Sequence, residues 1–140
     1  MVGMWWRNFV LIIGALAQTV PASAEGWQGS VSRGLDVFSA HGDDAAVTVV
    51  CDPGRVYGAD NSGVQLVLDG NNDVRGVVTF QRGDQELAAV SIRGRIGPDD
   101  TAWPALLTLL AGSGHIRIEH DGRTFSITLS EPGGFTCRSS

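Results

Sequence analysis

From His115 to Leu129 the chain reads HIRIEHDGRTFSITL, with apolar and polar residues alternating on both sides of Asp121-Gly122. Alternation places successive side chains on opposite faces of a strand. An Asp-Gly pair between two such runs supplies the positive φ that a two-residue type I′ turn needs at both central positions. The pattern predicts a β-hairpin in which His120 faces Arg123, Ile118 faces Phe125 and Ile116 faces Ile127. The other face then pairs Glu119 with Thr124 and Arg117 with Ser126, so turn chemistry and hydrophobic pattern choose one register.

Earlier in the chain the same period marks further strands. Leu35 to Ala40 and Ala45 to Cys51 flank His41-Gly42-Asp43-Asp44, which has turn composition. In the second run Val47, Val49 and Cys51 share a face, while Ala46, Thr48 and Val50 share the other; a strand apolar on both faces is expected to be central. Val64 to Asp69 and Val74 to Gln81 alternate as well. Gly70-Asn71-Asn72 between them predicts a three-residue hairpin loop, with Asn72 left-handed. Glu86 to Arg93 is another strand, with Val90 and Ile92 on one face and Leu87 on the other, and Gly94 to Asp100 breaks the pattern. Glu25 to Gly34, rich in Gly and Ser, is expected to be a loosely held start that Trp27 pins to the body.

One stretch changes period. In Ala102 to Ala111, Trp103, Leu106, Leu107 and Leu110 fall at i, i+3, i+4 and i+7, which predicts a short amphipathic helix lying on a sheet. Asp100 or Thr101 is expected to cap its start and Gly112 to close its end. The fold class expected is all-β, an antiparallel β-sandwich or flattened barrel with one short helix near the C-terminal hairpin.

The N-terminus does not belong to that pattern. Met1 to Asn8 carries Arg7 and no acid, Phe9 to Val20 is an apolar run, and Pro21-Ala22-Ser23-Ala24 supplies the small residues of a cleavage site. Residues 1–24 are therefore expected to be a signal peptide and residues 25–140 a single β-rich domain, periplasmic or secreted. The apolar run is shorter than the roughly 20 residues a spanning helix needs, so no stable membrane anchor is expected after cleavage. The chain carries a formal charge of −5, and removing Arg7 makes it one unit more acidic. Its basic residues are all Arg and form no run able to neutralise a line of phosphates, which makes nucleic acid a poor partner.

Two cysteines, Cys51 and Cys137, follow the cleavage site. In an exported domain an even count implies a bridge, and two cysteines allow one connectivity. The alternatives, a metal pair or a reactive thiol, find no second cysteine or histidine at ligand spacing.

The helix, Gly-containing turn, hairpin and terminal Gly-Phe-Thr of WPALLTLLAGSGHIRIEHDGRTFSITLSEPGGFTC, Trp103 to Cys137, resemble the C-terminal part of the invasion-associated locus B family of exported bacterial proteins. The resemblance covers about a quarter of the chain. It implies a periplasmic β-sandwich with an accessory envelope role and carries over no catalytic residue. Members of that family usually have more cysteines and a Trp-containing first strand, whereas Trp27 stands outside any strand pattern.

Motifs for chemistry are sparse. Asp69, Asn71 and Asp73 have the opening spacing of a calcium loop, but Val74 stands where Gly is needed and Phe80 where a bidentate Glu belongs. His115 and His120 fall on opposite strand faces and His41 in a distant turn, so no metal set is expected. The adjacent acids Asp43-Asp44 and Asp99-Asp100 sit at turns or a helix start. No nucleophile elbow, zinc-protease motif or phosphate loop is present, so neither a catalytic residue nor a cofactor is expected.

The expectation is a non-catalytic envelope protein that binds a protein partner, of unknown identity, through loops or an edge strand. A secreted small-domain enzyme inhibitor is the alternative, and an enzyme with a scattered site the third reading. The candidate partner-contact residues are Arg55, Tyr57, Asp60 and Asn61, in the aperiodic Asp52 to Gly63 stretch, because loops carry function and Tyr and Arg dominate binding hot spots.

Overall fold

The computed structural model describes residues 26–137. The expected signal peptide, residues 1–24, lies outside the described residues. Two antiparallel sheets face each other across one core. The first contains β1 (Gln28–Ser32), β2 (Leu35–His41), β3 (Ala45–Cys51), β4 (Gly63–Leu68) and β7 (Arg95–Ile96), in that spatial order. The second runs β6 (Gln85–Ser91), β5 (Gly76–Arg82), β8 (Gly114–His120) and β9 (Arg123–Leu129). A single helix among the described residues, α1 (Trp103–Ala111), packs on β5 and β6. The sheets do not close into a barrel, so the architecture is a sandwich.

The β8–β9 hairpin forms in the register read from the sequence, from His120 opposite Arg123 to Ile116 opposite Ile127. Asp121 and Gly122 take φ of 52° and 76°, as the type I′ turn requires. Ile116, Ile118, Phe125 and Ile127 point inward, opposite Val47, Val49 and Cys51 of β3, and all seven are buried. β3 is the middle strand of its sheet, as its two apolar faces predict.

Three expectations about the strands and their connections are corrected. The chain between β4 and β5 is not a hairpin loop: Asp69 and Gly70, both at positive φ, turn the chain so tightly that Leu68 pairs with Asn71, and the chain then crosses to the other sheet. Val74 and Val78 are buried on the opposite wall of the core, so matching apolar faces reported two layers of a sandwich rather than two strands of one sheet. Gln28–Ser32, expected to be loose, is a paired strand joined to β2 through Arg33-Gly34, with φ of 53° and 81°. All of its residues are exposed, so it carries no hydrophobic period to read.

The third correction concerns Gly94 to Asp100. Arg93-Gly94 reverses the chain after β6, and β7 leaves its neighbour's sheet to pair with β4 through Val64 opposite Ile96. This corner is sewn by backbone: the Gly94 N–H donates to Val74 O at 2.8 Å, and the Leu66 N–H donates to Gly94 O at 2.7 Å. A side chain at Gly94 would meet the Asn72 carbonyl, and φ is +80°, so glycine is required twice over.

The helix buries Trp103, Leu106, Leu107 and Leu110, as its spacing predicts, together with Leu109. Gly112 closes its end as expected, while the start differs from expectation. Ala102 is the N-cap and makes no side-chain bond; Asp100 stands two residues earlier, where its carboxylate accepts from the Ala102 N–H at 2.8 Å and the Val90 N–H at 2.9 Å. Gly112 ends the helix in an extended conformation, and its missing side chain leaves room for the Arg82 guanidinium.

The C-terminal segment fills the end of the sandwich beneath β1 and β2. Phe135 packs edge-on to Trp27 and Phe38, at centroid distances of 4.9 and 5.2 Å. Trp27 thereby pins the start of the described chain. Cys137 is joined to Cys51, with Cα atoms 4.5 Å apart.

Candidate functional site

The stretch after Cys51 is folded around one carboxylate. Asp52 is 2% exposed, and its side chain accepts from the Val56 N–H at 3.0 Å, the Asn61 N–H at 3.2 Å and Asn61 Nδ2 at 3.4 Å. Its own N–H donates to the buried Ser62 hydroxyl at 2.9 Å. The Val56 amide, opposed by burial and joined by the Asn61 donors, holds the Asp52 carboxyl below its ordinary value of 3.8. A buried charge surrounded by donors fixes the loop as a frame, although the residues have no period.

That frame leans on the first hairpin. The Tyr57 hydroxyl donates to Arg33 O at 3.1 Å, and Val56 packs within 3.3 Å of the place a side chain on Gly34 would take. Loop and turn together wall an open groove of about 490 Å³ on the outer face of the five-stranded sheet. Its floor comes from neighbouring positions of three strands: Val37 lies opposite Val50, and Thr48 opposite Gln65. Ser30 and Ser32 of β1 and Leu35 of β2 line one side, and Tyr57 and Asn61 the loop side.

Arg95 reaches the groove from β7. Its guanidinium lies over Gly63, where a Cβ would approach Arg95 Nε to 2.8 Å, and donates to Ser62 O at 2.7 Å. Gly63 stands opposite Val50, so the absence of a side chain there lets Arg95 cover the end of the floor.

Of the four candidate contact residues, the structure brings Tyr57 and Asn61 to the groove wall, while Arg55 and Asp60 do not line it. Tyr57 is 61% exposed despite its hydrogen bond. Asn61 and Asp60 also shape the loop, Asp60 by accepting from the Ser62 N–H at 2.9 Å. Arg55 is exposed, at a φ of 49° in the loop's turn. Sequence reading missed Arg33, Arg95 and the floor. The available signal was the half-apolar outer face of β3, where Val50 and Thr48 are only partly covered.

The remaining polar motifs are engaged elsewhere. Asp69 pairs with Arg123 at 2.7 Å, Asn71 Oδ1 accepts from the Asp73 N–H at 2.9 Å, and Asp73 pairs with Arg75 at 3.2 Å, so the calcium-like spacing is spent on turns and ion pairs. His115 bonds Thr128 at 2.9 Å and His120 bonds the Arg75 carbonyl at 2.8 Å. Among the described residues no three His, Cys, Asp or Glu side chains form a metal-ligating group. Comparison of the chain with family models, with curated proteins and with solved structures finds no match in any of the three.

Proposed function

We propose that this chain is an exported, non-catalytic envelope protein that holds a protein partner in the groove beneath the 52–62 loop. The observation that carries the reading is the groove itself: it is of ligand-site size, and a loop framed on a buried carboxylate forms its wall. The disulfide supports an oxidising compartment, and among the described residues no helix is long and apolar enough to cross a membrane. The resemblance of Trp103 to Cys137 to an exported envelope family supports the same address.

The test is site-specific photocrosslinking in the periplasm of an expressing cell, with the crosslinker at position 57 and, as control, at Thr124 on the outer face of the other sheet. A discrete protein adduct from position 57, absent from position 124, is expected. Adducts of equal yield from both positions would abandon the groove as the binding site.

A further inference from the structure

The charge of the groove runs against that of the whole chain. The chain holds 15 acidic residues against 10 basic ones, yet both ionised side chains lining the groove are arginines, Arg33 and Arg95. The carboxylates nearest to it in the chain are engaged elsewhere: Asp36 accepts from the Thr136 hydroxyl at 2.6 Å, Asp52 from Val56 and Asn61, and Asp60 from the Ser62 amide. Neither arginine forms an ion pair among the described residues, whereas Arg75 and Arg123 each do. A mostly acidic surface thus presents two guanidinium groups at the groove, Arg95 with the Asp99 carboxylate near it at Gly97 and Arg33 in the turn opposite.

Their placement is as informative as their charge. Arg33 belongs to the β1–β2 turn and Arg95 to β7, at opposite edges of the five-stranded sheet. Four strand spacings of about 4.8 Å put roughly 19 Å between those edges, and Arg95 shortens the gap by folding back over Gly63. Between them lie the apolar floor of Val37 and Val50 and a set of neutral hydrogen-bonding groups, Thr48, Gln65, Tyr57 and Asn61. Guanidinium groups recognise carboxylates through paired N–H donors, and amide and hydroxyl side chains satisfy a peptide backbone.

Resting on the binding role assigned to the groove above, we infer that its occupant is an acidic, extended segment of the partner protein, lying across the strands. A carboxylate side chain reaches Arg33, a second reaches Arg95, and an apolar side chain between them rests on Val37 and Val50. At about 3.3 Å per residue, an extended chain spans this distance with acids roughly four to five residues apart.

Selection from a random peptide display library against the folded, disulfide-bonded protein tests this. Enriched peptides are expected to carry two acids at about that spacing around an apolar residue, with binding that weakens as salt is raised. Arg33→Gln and Arg95→Gln should each weaken a selected synthetic peptide about fivefold, while Arg117→Gln on the other sheet leaves it unchanged. Selection repeated on the Arg33→Glu, Arg95→Glu double variant, its fold checked by circular dichroism and melting, should enrich basic peptides instead. Enrichment without acidic bias, the same acidic peptides from both proteins, or no peptide enrichment with oligogalacturonate bound instead would overturn the inference. A periplasmic crosslink from position 57 to a partner lacking any acidic segment would overturn it too, while leaving the binding role of the groove standing.

Discussion

The β8–β9 hairpin and the 52–62 loop are held by opposite means. Every pair in the hairpin joins residues within 15 positions of each other, from His120 opposite Arg123 to Gly114 opposite Leu129. The loop depends on distant chain: Cys51 at its root is bonded to a residue 86 positions away, Tyr57 reaches Arg33 across 24, and Arg95 reaches Ser62 across 33. The hairpin is therefore a local unit whose register survives on its own turn and pattern. The loop is a product of the finished fold, and whatever loosens the fold loosens the loop first.

Removing the disulfide should break this contrast most widely. Closing a loop of 86 residues stabilises by about 4 to 5 kcal/mol on the chain-entropy model. A Cys51→Ser, Cys137→Ser variant should lose about that much in denaturant unfolding. Native-state hydrogen exchange should show protection falling most at Val56, Asn61 and Phe38, and least at Ile116 and Ile118. Uniform loss across both regions would refute the division.

A smaller effect is expected from the hairpin's own turn. Gly122 sits at a φ of 76°, so Gly122→Ala forces a Cβ into the left-handed region and should destabilise by about 1 to 2 kcal/mol. The melting temperature should fall while the exchange of the Val56 and Asn61 amides keeps its rank relative to the rest of the protein.

The smallest effect is acid weakening of the loop. Because the folded protein holds the Asp52 carboxyl below 3.8, this contribution is fully present above that value and is lost as pH falls through the folded one. Melting followed from pH 7 downward should drop more steeply for the wild type than for Asp52→Asn over that interval. Parallel curves would show that the carboxylate does not frame the loop.

The same division decides what the amino-acid sequence discloses. The hairpin, the central place of β3, the helix stripe and the disulfide are legible because each rests on a local period or on a unique pairing of cysteines. The loop is legible as a loop because turn-forming residues interrupt the alternation, but its composition does not separate Tyr57 and Asn61, which line the groove, from Arg55 and Asp60, which do not. Arg33 and Arg95 are not legible: one occupies a turn next to an edge strand without an apolar face, the other a strand of two residues. The register between β4 and β7, which carries Arg95 to the groove, joins segments about 30 residues apart and leaves no periodic trace. Asp69-Gly70 adds a second lesson. It makes the same kind of turn as Asp121-Gly122, yet the chain beyond it departs for the other layer, so an Asp-Gly pair specifies a reversal and not the strand that follows.

Strand β7 has a kinetic consequence. Along the chain, β1 to β4 enter one sheet and β5 and β6 the other, and β7 then returns to close the first before β8 and β9 complete the second. Neither layer can be finished from a contiguous piece of polypeptide. A chain delivered from its N-terminus would hold β4 with an open edge until residue 96 arrives and β5 with one until residue 118, leaving both edges accessible to neighbouring molecules. The two layers therefore close almost together, only once the chain through β8 has been delivered, and a folding assay that stops the chain before β8 should recover aggregate rather than half a sandwich.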